Sequence, residues 1–285
     1  MRTVTVFAII VLAVVTGLTQ THLGSIRGTV TDSTDARIVG ATVEIVNTST
    51  NIRRVITTSG EGAFVFSQLP PGEFGISIGR DGYKTYVSQV VLQVSQRLRL
   101  DAQLELGVVT EQVIVTAPDT PIELDSSALT TVIDNQQIVQ LPLDGRNFLE
   151  LALLAAGTSP SPQGSAASVR GDFAMSVNGA RENANAFLLD GAYNVDPKLN
   201  TPAVRPTIDA IKEFRILTST YDASFGRHAG AQVNVTTKTG ANQFSGTAYE
   251  FFRTEALNAR NAFAPTDGPA PDYRRNQFGM SLGGP

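Results

Sequence analysis

The sequence predicts a mainly β protein with some α, arranged as three consecutive parts. Three observations predict this. Residues 24–106 hold short alternating apolar and polar runs separated by turn residues, with no long helical period. Residues 119–240 mix strand-like runs with two short helical patterns. Residues 241–285 return to alternation, in runs of the length that a membrane-crossing strand needs.

Composition bounds what the parts can do. A chain of 285 residues holds two or three small domains. A net charge of -4 offers no basic surface for nucleic acid. The chain has no Cys, which excludes a disulfide framework, a thiolate metal site and a thiol nucleophile. Its two histidines, His22 and His228, lie far apart in the sequence and argue against a His-based metal centre or a Ser-His-Asp triad. These residues point to no enzyme, no metal and no cofactor.

Residues 1–21 have the pattern of a secretory signal peptide. Arg2 supplies the positive start, and residues 4–15 form an apolar run of about twelve residues, too short to span a bilayer. Small and polar residues Thr16-Gly17-Leu18-Thr19 follow. A retained membrane anchor is the alternative.

The first part, residues 24–106, offers about seven strands, the pattern of an antiparallel sandwich. Ser25-Ile26-Arg27-Gly28-Thr29-Val30-Thr31 is one strand, and residues 41–47 form the next with Val43 and Ile45 on one face. Residues 54–58 and 62–66 flank Ser59-Gly60-Glu61, which predicts a hairpin. Leu69-Pro70-Pro71-Gly72 is a rigid turn. Phe74, Ile76 and Ile78 alternate after it, and residues 87–94 and 98–106 complete the set.

Gly28-Thr29-Val30-Thr31-Asp32, Thr58-Ser59-Gly60-Glu61-Gly62-Ala63-Phe64, Leu69-Pro70-Pro71-Gly72-Glu73-Phe74 and Asp81-Gly82-Tyr83 resemble the carboxypeptidase regulatory-like domain. That resemblance implies a transthyretin-like sandwich, grouped with carbohydrate-binding-like folds and lacking catalytic groups of its own. It leaves a sugar-binding or adhesive surface module as an alternative function, with Tyr83, Tyr86 and Phe74 as a stacking platform. The competing assignment makes these three core and turn aromatics.

Between the first two parts, residues 110–118 form a linker. Val113, Ile114, Val115 and Thr116 favour extended backbone, and Pro118 biases Ala117 the same way. An isolated extended segment exposes unpaired N–H and C=O groups and can add a strand to another sheet. By its residues alone it is equally an ordinary edge strand of a neighbouring domain.

In the second part, Thr131-Val132-Ile133 is a strand, and Asp134 is placed to cap a helix over 135–140 that Leu141-Pro142 ends. Residues 147–155 carry a second helical pattern with Phe148, Leu149, Leu151, Leu153 and Leu154 apolar, and Gly157 beyond it. Residues 158–168 read as a loop. Strands are predicted at 176–179, 186–191, 213–217 and 230–238, with a helical turn over 206–211.

Leu141-Pro142-Leu143-Asp144-Gly145-Arg146-Asn147-Phe148, Phe187-Leu188-Leu189-Asp190-Gly191, Ile211-Lys212-Glu213-Phe214 and Tyr221-Asp222-Ala223-Ser224-Phe225-Gly226-Arg227 follow in the order found in a plug domain. The chain thereby resembles a TonB-dependent outer-membrane receptor, of the Oar-like group that carries a preceding regulatory-like sandwich. The resemblance implies that Gln112, Val113, Ile114, Val115, Thr116 and Ala117 form a TonB box, and that the partner is TonB with its inner-membrane energising complex. It implies polar contacts between plug and barrel through Arg146, Asp190, Glu213 and Arg227, with Arg170 and Arg181 in the same charged set; the alternative is that these residues line a substrate path. It also implies the outer membrane as location, lipid around the barrel, and a periplasmic position for the N-terminal domains.

The third part begins a barrel. Residues 243–253 and 276–284 are strand-like, with Phe278, Met280 and Leu282 assigned to lipid and Gln277, Gly279, Ser281 and Gly283 assigned inward. Tyr249 and Phe251 share a face as candidate girdle aromatics. A membrane barrel must close and needs at least about eight strands of about ten residues. Two or three do not close one, so the expectation is the N-terminal portion of a longer receptor.

Overall fold

The computed structural model describes residues 23–107, 112–116, 127–141, 143–161, 173–221, 225, 228–257 and 272–285. The signal-peptide expectation, Ala117, Arg170 and Arg227 lie outside these residues.

The first part forms strands β1 (Gly24–Asp32), β2 (Thr42–Asn47), β3 (Arg53–Thr57), β4 (Ala63–Leu69), β5 (Gly72–Gly79), β6 (Thr85–Leu92), β7 (Arg97–Arg99) and β8 (Ala102–Leu104), and β9 (Gln112–Thr116) follows them. One sheet runs β4-β1-β7, with β8 also on β1, and the other runs β3-β2-β5-β6-β9. Alternation puts Val43, Ile45, Ile76 and Ile78 of one sheet and Ile26, Phe64 and Phe66 of the other into a single buried core. Phe64 and Phe66 meet edge to face at 6.3 Å. Gly28 makes the close crossing possible, because a Cβ there would lie 1.7 Å from the Leu100 carbonyl oxygen.

Two expectations about this sandwich are corrected. It is not wholly antiparallel: β7 and β8 run parallel to β1, and β9 runs parallel to β6. The chain leaves β6 in one sheet and enters β7 in the other, and this crossover sets the direction. Nor do β3 and β4 form a hairpin. β3 pairs with β2 and β4 with β1, so the turn at 58–62 passes from one sheet to the other. Buried Thr58 fixes that passage by donating its hydroxyl to the Ile38 carbonyl (2.8 Å) and accepting from the Ala41 N–H (2.9 Å). Local turn chemistry is the same for a hairpin and a sheet-to-sheet corner, which is why the sequence pattern misleads here.

The second part holds β10 (Leu129–Asp134), α1 (Asn135–Gln140), β11 (Thr158–Pro160), β12 (Met175–Val177), β13 (Ala186–Leu189), β14 (Ala192–Tyr193), β15 (Ile211–Ser219) and β16 (Gln232–Thr237). Five strands form one sheet in the order β10-β15-β16-β13-β14, and β11 pairs with β12. The Asp134 carboxylate accepts from the Gln137 N–H at 2.8 Å, capping α1 as expected. The pattern after Asn147 winds as a 3-10 helix over Phe148–Leu154 instead of an α-helix. Phe148, Leu149 and Leu151 are buried by it while Leu154 stays exposed. Residues 158–160, expected in a loop, are β11, and the remainder of that loop from 162 lies outside the described residues.

Residues 238–285 form a separate unit. β17 (Ser245–Thr254) pairs antiparallel with β18 (Arg274–Gly283) in unbroken register from Ser245↔Gly283 to Thr254↔Arg274. Phe278, Met280 and Leu282 are 78%, 80% and 81% exposed, the apolar face expected of them. The aromatic expectation is corrected by register. Tyr249 lies opposite Gly279 and Phe251 opposite Gln277, and partners in register share a face. Both aromatics are therefore on the face assigned inward. The β17 aromatic that shares the face of Phe278 is Phe252.

Candidate functional site

The β9 segment is not the isolated linker that its residues allow. It lies parallel to β6 with Thr85↔Gln112, Tyr86↔Val113, Val87↔Ile114, Ser88↔Val115 and Gln89↔Thr116 in register. Without it, β6 would end the sheet with unpaired backbone groups, and a β-branched run satisfies them. The preceding chain delivers β9 to that edge. Lys84 N–H donates to the Glu105 carbonyl at 2.8 Å, Tyr83 bridges Leu106, and Gly107 N–H donates to the Gly82 carbonyl at 3.1 Å. Among the described residues, no strand pairs with the outer edge of β9. It is an edge strand, with one side of its backbone engaged.

The charged residues assigned to plug–barrel contacts have the following neighbours among the described residues. Arg146 follows Gly145 with both at positive φ, and its guanidinium meets the Asp209 carboxylate at 2.5 Å. Both side chains are largely buried, so this pair holds the α/β domain to itself. Asp190 and Gly191 have φ of 48° and 80°, the two positive values that a type I′ turn between β13 and β14 requires. The Asp190 carboxylate also accepts from the Thr237 N–H and hydroxyl, each at 2.8 Å, and ties that turn to the end of β16. Arg181 is exposed beside a short 3-10 helix.

Glu213 faces the sandwich. Its carboxylate accepts from the Val94 N–H, while Arg215 donates to the Val94 carbonyl at 2.8 Å. Lys212 donates to the Pro71 carbonyl. Lys212, Glu213 and Arg215 of β15 thus grip the two turns that flank the β5–β6 pair. Burial pushes the Glu213 carboxyl upward, opposed by the Val94 hydrogen bond and by Lys212 and Arg215. Burial lowers Lys212, opposed by Glu213 and Glu73. The sequence signal for Lys212 and Arg215 is charge inside an apolar strand, the same signal that singles out Glu213.

The same face of the sheet continues onto β16. Asn234 lies in register with Arg215 and Thr236 with Glu213. Asn234, Thr236 and Gln232 are buried, and both amide atoms of Asn234 and the Thr236 hydroxyl lack a hydrogen-bond partner among the described residues.

The sugar-stacking platform does not form. Phe74 and Tyr86 are buried in the sandwich core, and Tyr83 packs against it. Among the described residues there is no cluster of His, Asp and Glu suited to a metal ion. Nor is any described helix long and apolar enough to cross a membrane.

Comparison with known proteins follows the same order along the chain. Residues 25–105 match the carboxypeptidase regulatory-like domain, and residues 236–285 match an outer membrane beta barrel domain. The TonB-dependent transporter Oar of Myxococcus xanthus is 27% identical over 280 residues, covering 92% of this chain and 25% of that protein. The chain therefore spans about a quarter of the length of the curated relative it matches. Together these similarities support a TonB-dependent receptor-like protein rather than an enzyme.

Among solved structures, catechol 1,2-dioxygenase from Pseudomonas arvilla C-1 aligns at a TM-score of 0.29 with 14% identity, covering 39% of this chain and 60% of that chain. The group B streptococcus pilus 2b backbone protein aligns at 0.26 with 18% identity, covering 30% and 41%. Scores this low carry no argument about fold or function.

Proposed function

We propose that this chain is the N-terminal portion of a TonB-dependent outer-membrane receptor that takes up its substrate actively. The observation that carries the proposal is the similarity to a TonB-dependent transporter along 92% of the chain. The order of parts supports it: sandwich, β-branched strand, α/β domain, then a hairpin of two ten-residue strands with one apolar face. In this reading residues 119–240 are the plug and β17–β18 open the barrel, with lipid against Phe278, Met280 and Leu282. The sandwich and plug face the periplasm.

Coupling runs through Gln112, Val113, Ile114, Val115, Thr116 and Ala117 as the TonB box. TonB's periplasmic domain takes this segment as an added strand, and main-chain hydrogen bonds supply most of the affinity. Tension supplied by the inner-membrane energising complex then passes along the chain into the plug. The test is titration of TonB's periplasmic domain against the intact chain and against Ile114→Pro. Proline removes a donor and fixes φ, so affinity should fall by about tenfold or more, the loss of roughly 1.4 kcal/mol. Unchanged affinity would reject β9 as the coupling strand.

A further inference from the structure

We infer that the sandwich edge β6 is a resting seat that competes with TonB for β9. The inference rests on the reading of β9 as the coupling strand and concerns how that strand is regulated. Its basis is the parallel ladder itself. Five consecutive residues of β9 are paired in register with 85–89 of β6. The chain before β9 is pinned beside the start of β6 by Lys84 with Glu105, Tyr83 with Leu106 and Gly82 with Gly107. The strand is therefore delivered to this edge by construction.

The seat and TonB offer β9 the same kind of interaction, a row of main-chain hydrogen bonds along a sheet edge. A strand seated on β6 has one edge committed, so a partner must either displace β6 or add to the outer edge. The path of tension separates these two geometries. The sandwich is fastened to the α/β domain through Val94 with Glu213 and Arg215, and through Pro71 with Lys212. While β9 stays seated, a pull on it loads the β6 ladder and the sandwich. Only after β9 leaves β6 does the pull pass straight from Thr116 towards β10 and the plug sheet. Release from β6 is thus the step that commits the receptor to coupling, and the apparent affinity for TonB is the intrinsic affinity scaled by the fraction of chains with β9 free.

The chain contains no cysteine, so one introduced pair reports cleanly. Gln89 is exposed and stands in register with Thr116. Neighbouring strands lie about 4.8 Å apart, within the span of about 4.4–6.8 Å that a disulfide bridges. Intact chain carrying Gln89→Cys with Thr116→Cys is titrated with TonB's periplasmic domain, oxidised and then reduced, beside a free peptide of residues 110–118. The peptide should bind more tightly than the reduced chain, and oxidation should weaken binding by about tenfold or more, reversibly. Peptide binding with equal affinities for oxidised and reduced chain would overturn the competition and leave the coupling strand standing, with TonB on the outer edge. Failure of the peptide itself to bind would remove the coupling strand and this inference together.

Amide hydrogen exchange on the unmodified chain provides a second reading that needs no disulfide. Half of the β6 amides point towards β5 and half towards β9. TonB binding should speed exchange within 85–89 if β9 leaves. Unchanged protection there, with TonB bound, would overturn the inference.

Discussion

The sandwich and the β17–β18 hairpin share a sequence pattern and differ in what covers it. Phe64 and Phe66 alternate with polar or exposed positions on β4, just as Phe278, Met280 and Leu282 alternate on β18. On β4 the aromatics are at most 2% exposed, because a second sheet lies over them. On β18 the apolar residues are at least 78% exposed, because the hairpin is a single layer. Alternation fixes the period and the face. It does not say whether the face meets protein or lipid.

That difference can be broken or sharpened by substitution. Phe66→Ala opens the closed core and should cost about 3–5 kcal/mol in denaturant unfolding. Phe278→Ala should change stability in water by no more than about 0.5 kcal/mol, since its ring is already exposed. The same variant should weaken partition into lipid vesicles. Equal costs for both substitutions would erase the contrast.

Arg146→Ala comes next. It strands the Asp209 carboxylate in a largely buried position and should destabilise the α/β domain by about 3 kcal/mol in a thermal or denaturant melt. Asp190→Ala removes two hydrogen bonds to Thr237 and a residue suited to positive φ, with an expected loss of about 1–2 kcal/mol.

The smallest expected effect has a pH signature. The Glu213 carboxyl is raised above its ordinary value of 4.5. Below that value both the folded and unfolded chains hold the proton, and the group contributes nothing. As pH rises from 4.5 through the raised native value, the unfolded chain loses its proton first, so stability falls and then levels. Glu213→Gln keeps an oxygen for the Val94 N–H and should abolish this decline. The difference in melting temperature between variant and parent should grow from acid to neutral pH. A constant difference would contradict the burial cause.

Much of this architecture is legible in the chain because its signals are local. Asp134 caps α1, and the alternation of β1, β2 and β5 gives their buried faces, while the strand expected over 186–191 ends at Leu189 and Asp190-Gly191 is the turn after it. What failed depends on contacts distant in sequence. Ser59-Gly60-Glu61 announces a turn without saying which sheet receives the next strand. β9 meets β6 in parallel, and parallel pairing leaves no hairpin turn to read. Glu213 and Arg215 meet Val94, more than a hundred residues away in the sequence, and nothing local announces that contact. One strand alone puts Tyr249 and Phe251 on a common face, and only the partner strand says which face that is.

The central claim is that β9 couples this chain to TonB, and a photo-crosslinking residue at position 114 of the full-length receptor tests it in cells. Irradiation should yield a covalent adduct with TonB, well above that from the same probe at Val65, an exposed position on β4. No adduct from position 114, with TonB present at its normal level, would contradict the account.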